Sequence, residues 1–146
     1  MKQIILLAIF SVMTFSGFGQ GNYPVSWKVS TEKIDQSTYK IHCRAIIKDP
    51  YHMYPQSSQG GMGIPTEFLF AENPDVTFVG TVEEKGDEQK SDERLPYYSK
   101  GVTFTQTVKL KSEKRTTLEF SIKFQACTNQ MCLLPVSEQF SITLNE

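Results

Sequence analysis

"YKIHCRAII", residues 39–47, alternates without a break: Tyr39, Ile41, Cys43, Ala45 and Ile47 point one way, Lys40, His42 and Arg44 the other. A repeat of two marks a β-strand with one buried face, because successive side chains leave a pleated chain on opposite sides. The period recurs down the chain. Val102, Phe104, Val108 and Leu110 make a second face opposite Thr103, Thr105, Thr107 and Lys109. Leu118, Phe120, Ile122, Phe124 and Ala126 make a third, and Phe140, Ile142 and Leu144 a fourth. Val25, Trp27 and Val29, with "TEFLF" (66–70) and "VTFVG" (76–80), supply shorter strands.

No segment carries a helical stripe with caps, and Pro50, Pro55, the glycines of 60–63, Pro74 and Pro96 punctuate the strands. Antiparallel-type strands joined by turns predict an all-β chain, an immunoglobulin-like antiparallel β-sandwich. There is no internal repeat and no low-complexity tract. The polar stretch "EEKGDEQKSDERLP", residues 83–96, reads as a long mobile loop.

The chain opens with Lys2, an apolar run from Ile4 to Phe15, and small residues at Gly17 and Gly19, the order of a cleavable secretory signal. That run is too short to cross a hydrocarbon core of ~30 Å as a helix, and no later stretch approaches that length, so the chain is not expected to span a membrane. Cleavage after residue 19 leaves 20–146 as a single soluble, exported domain. The loss of Lys2 takes the formal charge from −1 to −2, which offers nothing basic to attract nucleic acid or an anionic membrane.

Export sets the redox context, since disulfides persist outside the cytoplasm. Three cysteines form one pair with one left over. Cys43 shares the apolar side of its strand and reads as a small buried hydrophobe. Cys127 lies one step beyond Ala126, which puts it outward or at the strand's end; Cys132 follows the loop "TNQM". Facing positions of an antiparallel pair have Cα atoms roughly 4.5–5.5 Å apart, so a Cys127–Cys132 bond forms easily. It makes a weak staple, because closing so short a loop is worth only about 2 kcal/mol. A local, outward pair suits thiol exchange, and equally the short structural disulfides common in secreted domains.

Exchange needs a thiolate, which nearby positive charge or hydrogen-bond donors favour. "TNQM" has no charge, so tuning must come from elsewhere. The richest source is "KDPYHMYPQ", residues 48–56, where Tyr51, His52 and Tyr54 place two phenols and an imidazole together; they read equally as aromatics at a sandwich rim. Soft metal ligands are present in Cys127, Cys132, Met131, Met53, Met62, His42 and His52, but their spacing matches no closed site, and no metal is assigned. No third residue to orient a hydrolytic Cys–His pair is identifiable.

Taken together, "KDPYHMYPQ", "GIPTEF" (63–68) after a glycine-rich loop, and "FQACTNQMCLLP" (124–135) occur in an order that resembles the N-terminal periplasmic domain of the thiol:disulfide interchange protein DsbD, the disulfide bond corrector family. The resemblance runs from about Val25 to Leu144. It implies an immunoglobulin-like sandwich whose two cysteines, with no cofactor, take electrons from a membrane thiol reductant and pass them to thioredoxin-like periplasmic proteins. By position it makes Cys132 the nucleophile and Cys127 the resolving cysteine, with Tyr54 lining the site. His52 stands where a tyrosine is familiar, and the resemblance raises the expectation that a histidine there could influence the thiols. The cysteine spacing is one residue shorter than the familiar one. Where the family has an aromatic cap after an Asp-Glu pair, Asp87-Glu88 is followed here by Gln89, so Leu95, Tyr97 or Tyr98 would supply the cover. No membrane carrier or thioredoxin-like module accompanies the domain in this sequence, so the reductant would act in trans. The rival reading is a noncatalytic exported binding module that keeps Cys127–Cys132 as a structural clamp.

Overall fold

The computed structural model describes residues 22–146 apart from 60, 62, 92 and 93, and for residues 87, 89–91, 94 and 95 the backbone alone. The expected signal segment, 1–19, lies outside the described residues. Seven strands run β1 Val25–Lys33, β2 Thr38–Ile47, β3 Glu67–Phe70, β4 Val76–Ser91, β5 Arg94–Leu110, β6 Thr116–Phe124 and β7 Val136–Leu144. They form two antiparallel sheets, one ordered β1-β2-β5-β4 and the other β3-β6-β7. This is the immunoglobulin-like β-sandwich that the alternation predicts.

The inward rows are those of the sequence pattern. Tyr39, Ile41, Cys43, Ala45 and Ile47 of β2 are buried, as are Val102, Phe104, Val108 and Leu110 of β5 and Leu118, Phe120, Ile122 and Phe124 of β6. Trp27 of β1 joins the layers: its ring centroid lies 5.9 Å from Phe104 in its own sheet and 6.4 and 5.3 Å from Phe68 and Phe124 in the other. One polar residue shares the buried row of β5. Gln106 faces a register shift in β4 between Val79 and Glu83, where Gly80 adopts a φ of 69°. Its amide donates to the Val79 carbonyl at 3.3 Å and the Thr107 carbonyl at 2.8 Å, so the bulge leaves no unpartnered amide inside.

Within the stretch 83–96, residues 83–91 and 94–96 are strand rather than loop. They belong to the distal half of a β4–β5 hairpin, with Gly86 opposite Val102, Glu88 opposite Tyr98, Gln89 opposite Tyr97 and Ser91 opposite Arg94. Beyond Gly101, where β2 stops pairing with β5, the ribbon meets Met53 instead, which bonds to Tyr98 and leaves that side chain buried. The sequence around Tyr98 is otherwise polar, so hydrophobic alternation fades although the ladder continues.

Candidate disulfide site

At the end of the sandwich where β2 finishes, the chain turns through Lys48–Tyr51 and runs extended through His52 and Met53. Backbone groups of successive extended residues point to opposite sides, and here each side finds a different sheet. His52 exchanges both hydrogen bonds with Cys127, at 2.9 and 3.0 Å, while Met53 exchanges both with Tyr98, at 2.9 and 2.8 Å. Two consecutive residues thus tie the end of β6 to the β4–β5 hairpin, and Met53 is sealed in the core.

That crossing changes the place of Cys127. Parity puts it outward or at the strand's end; it lies past the strand's end and, with Ala126, is completely buried rather than outward. The strand ladder of β6 ends at Phe124, and the flank that would face solvent is covered by the His52 segment. Cys132 remains half-buried at the surface. The two are joined by a disulfide with their Cα atoms 4.0 Å apart. The loop between them is internally closed: Thr128 N–H donates to the Met131 carbonyl at 2.7 Å, and the Thr128 hydroxyl accepts from Gln130 and Met131 N–H at 3.2 Å each.

Two residues that sequence reasoning missed hold the arms of this loop. The Tyr23 hydroxyl accepts from Ala126 N–H at 2.9 Å and donates to the Leu134 carbonyl at 3.1 Å. Gln125 donates to the Leu133 carbonyl at 2.9 Å and accepts from Ile64 N–H at 3.0 Å. Leu133 N–H completes the closure on the Ala126 carbonyl at 2.9 Å. Gln125 left a signal, a polar side chain amid an apolar strand end that burial obliges to find partners. Tyr23 left none, being 103 residues from Ala126. Burial lifts the Tyr23 phenol above its usual range, with the Ala126 N–H opposing and Tyr51 adding to the rise.

The aromatic segment assembles beside the bridge. His52 is buried, its ring 4.5 Å from that of Tyr97 and edge-on to Tyr54 at 5.4 Å, with Nε2 3.3 Å from the Tyr54 hydroxyl. Tyr54 is seated by Gly63, where a Cβ would meet its ring at 1.9–2.4 Å, and by Thr66, whose hydroxyl donates to the Tyr54 carbonyl at 2.7 Å. Tyr51 is half-buried against the core. Of the three cover candidates, Tyr97 lies on His52 and Tyr98 points inward, while the side chain of Leu95 is outside the described residues. Burial, with the carboxylates of Glu84 and Glu88 adding to it, pushes the Tyr98 phenol up to about 12. Cys43 is buried between the sheets, where desolvation pushes its thiol up to about 12, so it stays protonated and inert.

An immunoglobulin-like sandwich with a disulfide set across a closed turn, one sulfur buried and the other near solvent, is the architecture of a domain that presents a cystine at its end. The family whose profile matches residues 23–144 is described as "Thiol:disulfide interchange protein DsbD, N-terminal", and the chain belongs to it. Among solved structures, the chain is similar to the N-terminal periplasmic domain of ScsB from Proteus mirabilis, with 17% identity and a TM-score of 0.57 over 85% of this chain and 47% of that one. It therefore spans about half the length of that protein's structure. The Neisseria meningitidis DsbD N-terminal domain in its reduced form aligns at 18% identity and a TM-score of 0.44, over 81% of this chain and 86% of that one. No curated protein matches the sequence. Among the described residues, no helix is long and apolar enough to cross a membrane.

Proposed function

We propose that this protein is an exported, periplasmic thiol–disulfide exchange module that relays reducing equivalents through Cys127 and Cys132 to thioredoxin-like partners. A membrane thiol reductant recharges it in trans, and residues 1–19 act as the signal that exports the domain 20–146. The observation that carries this reading is the asymmetry of the pair: Cys127 is fully buried while Cys132 is half-exposed. In the reduced protein, the Cys132 thiolate attacks a partner disulfide, forms a mixed disulfide and expels the partner's second sulfur as a thiolate. The Cys127 thiolate then attacks Cys132 Sγ and releases the partner's remaining cysteine as a thiolate. The partner gains two electrons and this protein is left as the Cys127–Cys132 disulfide.

The rival role, a clamp, is weakened by the hydrogen bonds around it. Tyr23, Gln125 and the Leu133–Ala126 pair already hold both arms, so the covalent bond adds little to the native state beyond the about 2 kcal/mol of loop closure. We assign Tyr51, His52 and Tyr54 to the environment of the sulfurs and the cover to one of the hairpin residues Leu95, Tyr97 or Tyr98; the ring contact of Tyr97 with His52 favours Tyr97. His52 exchanges both backbone hydrogen bonds with Cys127, which places its imidazole in the segment next to the buried sulfur. A His52→Tyr variant whose Cys132 thiol titrates as in the wild type would remove His52 from the mechanism.

The deciding measurement is the reduction potential of the pair, read by equilibrating the protein in graded glutathione buffers and counting alkylated thiols. A potential well above about −300 mV marks an exchange-competent disulfide. A value below that range makes the pair a clamp and the domain a binding module.

A further inference from the structure

Six large apolar side chains stand open to solvent among the described residues, and two of them flank the half-exposed cysteine: Met131 is 52% and Leu134 84% exposed. The rest of that segment is uncharged as well. From Gln125 to Pro135 there is no Lys, Arg, Asp or Glu. The other four, Ile34, Leu69, Phe78 and Val79, lie outside the disulfide loop.

A mixed disulfide dictates what must come down on this surface. Two cysteines joined through sulfur have Cα atoms roughly 4.4–6.8 Å apart, so a partner bonded to Cys132 lays its own backbone that close to the loop. The Cα of Met131 is about 3.8 Å from that of Cys132, and that of Leu134 at most about 7 Å away. Both side chains therefore lie within reach of a partner held on Cys132. Cys127, sealed behind His52, offers no such access.

We propose that Met131 and Leu134 form an apolar docking rim around Cys132, and that its occupant is the uncharged, apolar surface bordering the reactive cysteine of a thioredoxin-like protein. The inference rests on the exchange reading and adds how the partner is chosen. A partner whose cysteine is ringed by charge would lose hydration against Leu134 and gain no counter-charge from residues 125–135. A partner ringed by apolar groups removes two exposed side chains from water as it aligns its sulfur. Since the contact is uncharged, the rim itself adds no salt dependence to the encounter.

The test is the rate at which reduced thioredoxin, used as the probe, reduces the Cys127–Cys132 disulfide, set against the rate with dithiothreitol. In each case the reagent's thiolate attacks Cys132 Sγ, Cys127 leaves as a thiolate and takes up a proton, and the reagent's second thiol closes its own disulfide to free Cys132. The double variant Met131→Ser, Leu134→Ser changes only exposed positions and adds no charge. It is expected to lower the thioredoxin rate about tenfold while leaving the dithiothreitol rate within about twofold. Ile34→Ser, an equally neutral change at the β1–β2 turn, should alter neither rate. An unchanged thioredoxin rate overturns the docking rim. So does an equal loss with both reagents, which would place the effect on the disulfide itself. Sedimentation showing a wild-type dimer that the double variant dissociates, with the thioredoxin rate unchanged, would make the patch a self-interface instead. A wild-type disulfide that neither reagent reduces overturns the exchange reading, and the rim with it.

Discussion

Replacing Tyr23 by Phe removes one oxygen from the molecule and tests whether the disulfide loop is held from outside itself. The ring survives, so its edge-on packing against Phe124, at 5.5 Å and 86°, is kept. What is lost is an acceptor for Ala126 N–H and a donor to the Leu134 carbonyl. The two losses are unequal. Leu134 is 84% exposed, so water replaces the phenol on its carbonyl, whereas Ala126 is fully buried and its N–H is left with no partner. An orphaned buried donor costs about 1–3 kcal/mol, and the midpoint, about 2 kcal/mol, is the expected destabilisation. For a domain of this size each kcal/mol moves Tm by roughly 3–5 °C, so the variant should melt roughly 6–10 °C lower. Thermal unfolding followed by near-ultraviolet circular dichroism at neutral pH, on oxidised and on reduced protein, provides the assay. The fall should be at least as large in the reduced protein, where the arms no longer share a covalent bond. A Tm within about 1 °C of the wild type in both states refutes the reasoning, because Ala126 N–H would then be satisfied without Tyr23.

Gly63→Ala places a methyl group where the Tyr54 ring now lies, and overpacking of this kind should cost about 1–3 kcal/mol in urea unfolding, with a change in the near-ultraviolet signal of Tyr54. A midpoint equal to the wild type would show that the ring moves aside freely. Alkaline pH should destabilise the fold through Tyr98. The folded protein holds that proton to about 12 against 10.0 for an ordinary tyrosine, so the unfolded chain ionises first as pH rises. The contribution is complete below pH 10.0 and is lost through about 12. Urea titrations across that window should show a shallower decline for Tyr98→Phe than for the wild type, and parallel declines would refute the assignment. Cys43, with its thiol pushed to about 12, should resist alkylation in native reduced protein at pH 8, where a maleimide mass tag is expected on the half-exposed Cys132 and none on Cys43; denaturation should tag all three. A tag on Cys43 in the native protein would mean that the interface between the sheets opens near it.

The strands of the sandwich were legible because each is a local fact. Ile41, Cys43 and Ala45 share a face by the pleat of their own segment, whatever lies opposite, and the same holds for Leu118, Phe120 and Ile122. The cysteine pair across "TNQM" and the aromatics of 51–54 were legible for the same reason, since the residues concerned are within a few positions of one another. The distal hairpin was hidden, because Glu88 opposite Tyr98 and Gln89 opposite Tyr97 pair mostly polar residues, and the one inward side chain there, Tyr98, is buried by the distant Met53 segment rather than by a hydrophobic row of its own strand.

By itself the sequence determined the all-β class, the inward rows, the inward parity of Cys43 and the family to which the chain belongs. Only the tertiary structure decided that Cys127 is the sealed sulfur and Cys132 the accessible one, and that a hydroxyl 103 residues from Ala126 steadies the loop between them. Alternation records which side of its own strand a residue occupies. Whether that side meets solvent depends on what the rest of the chain lays against it, and here His52 and Met53 close the end of one sheet onto the hairpin of the other.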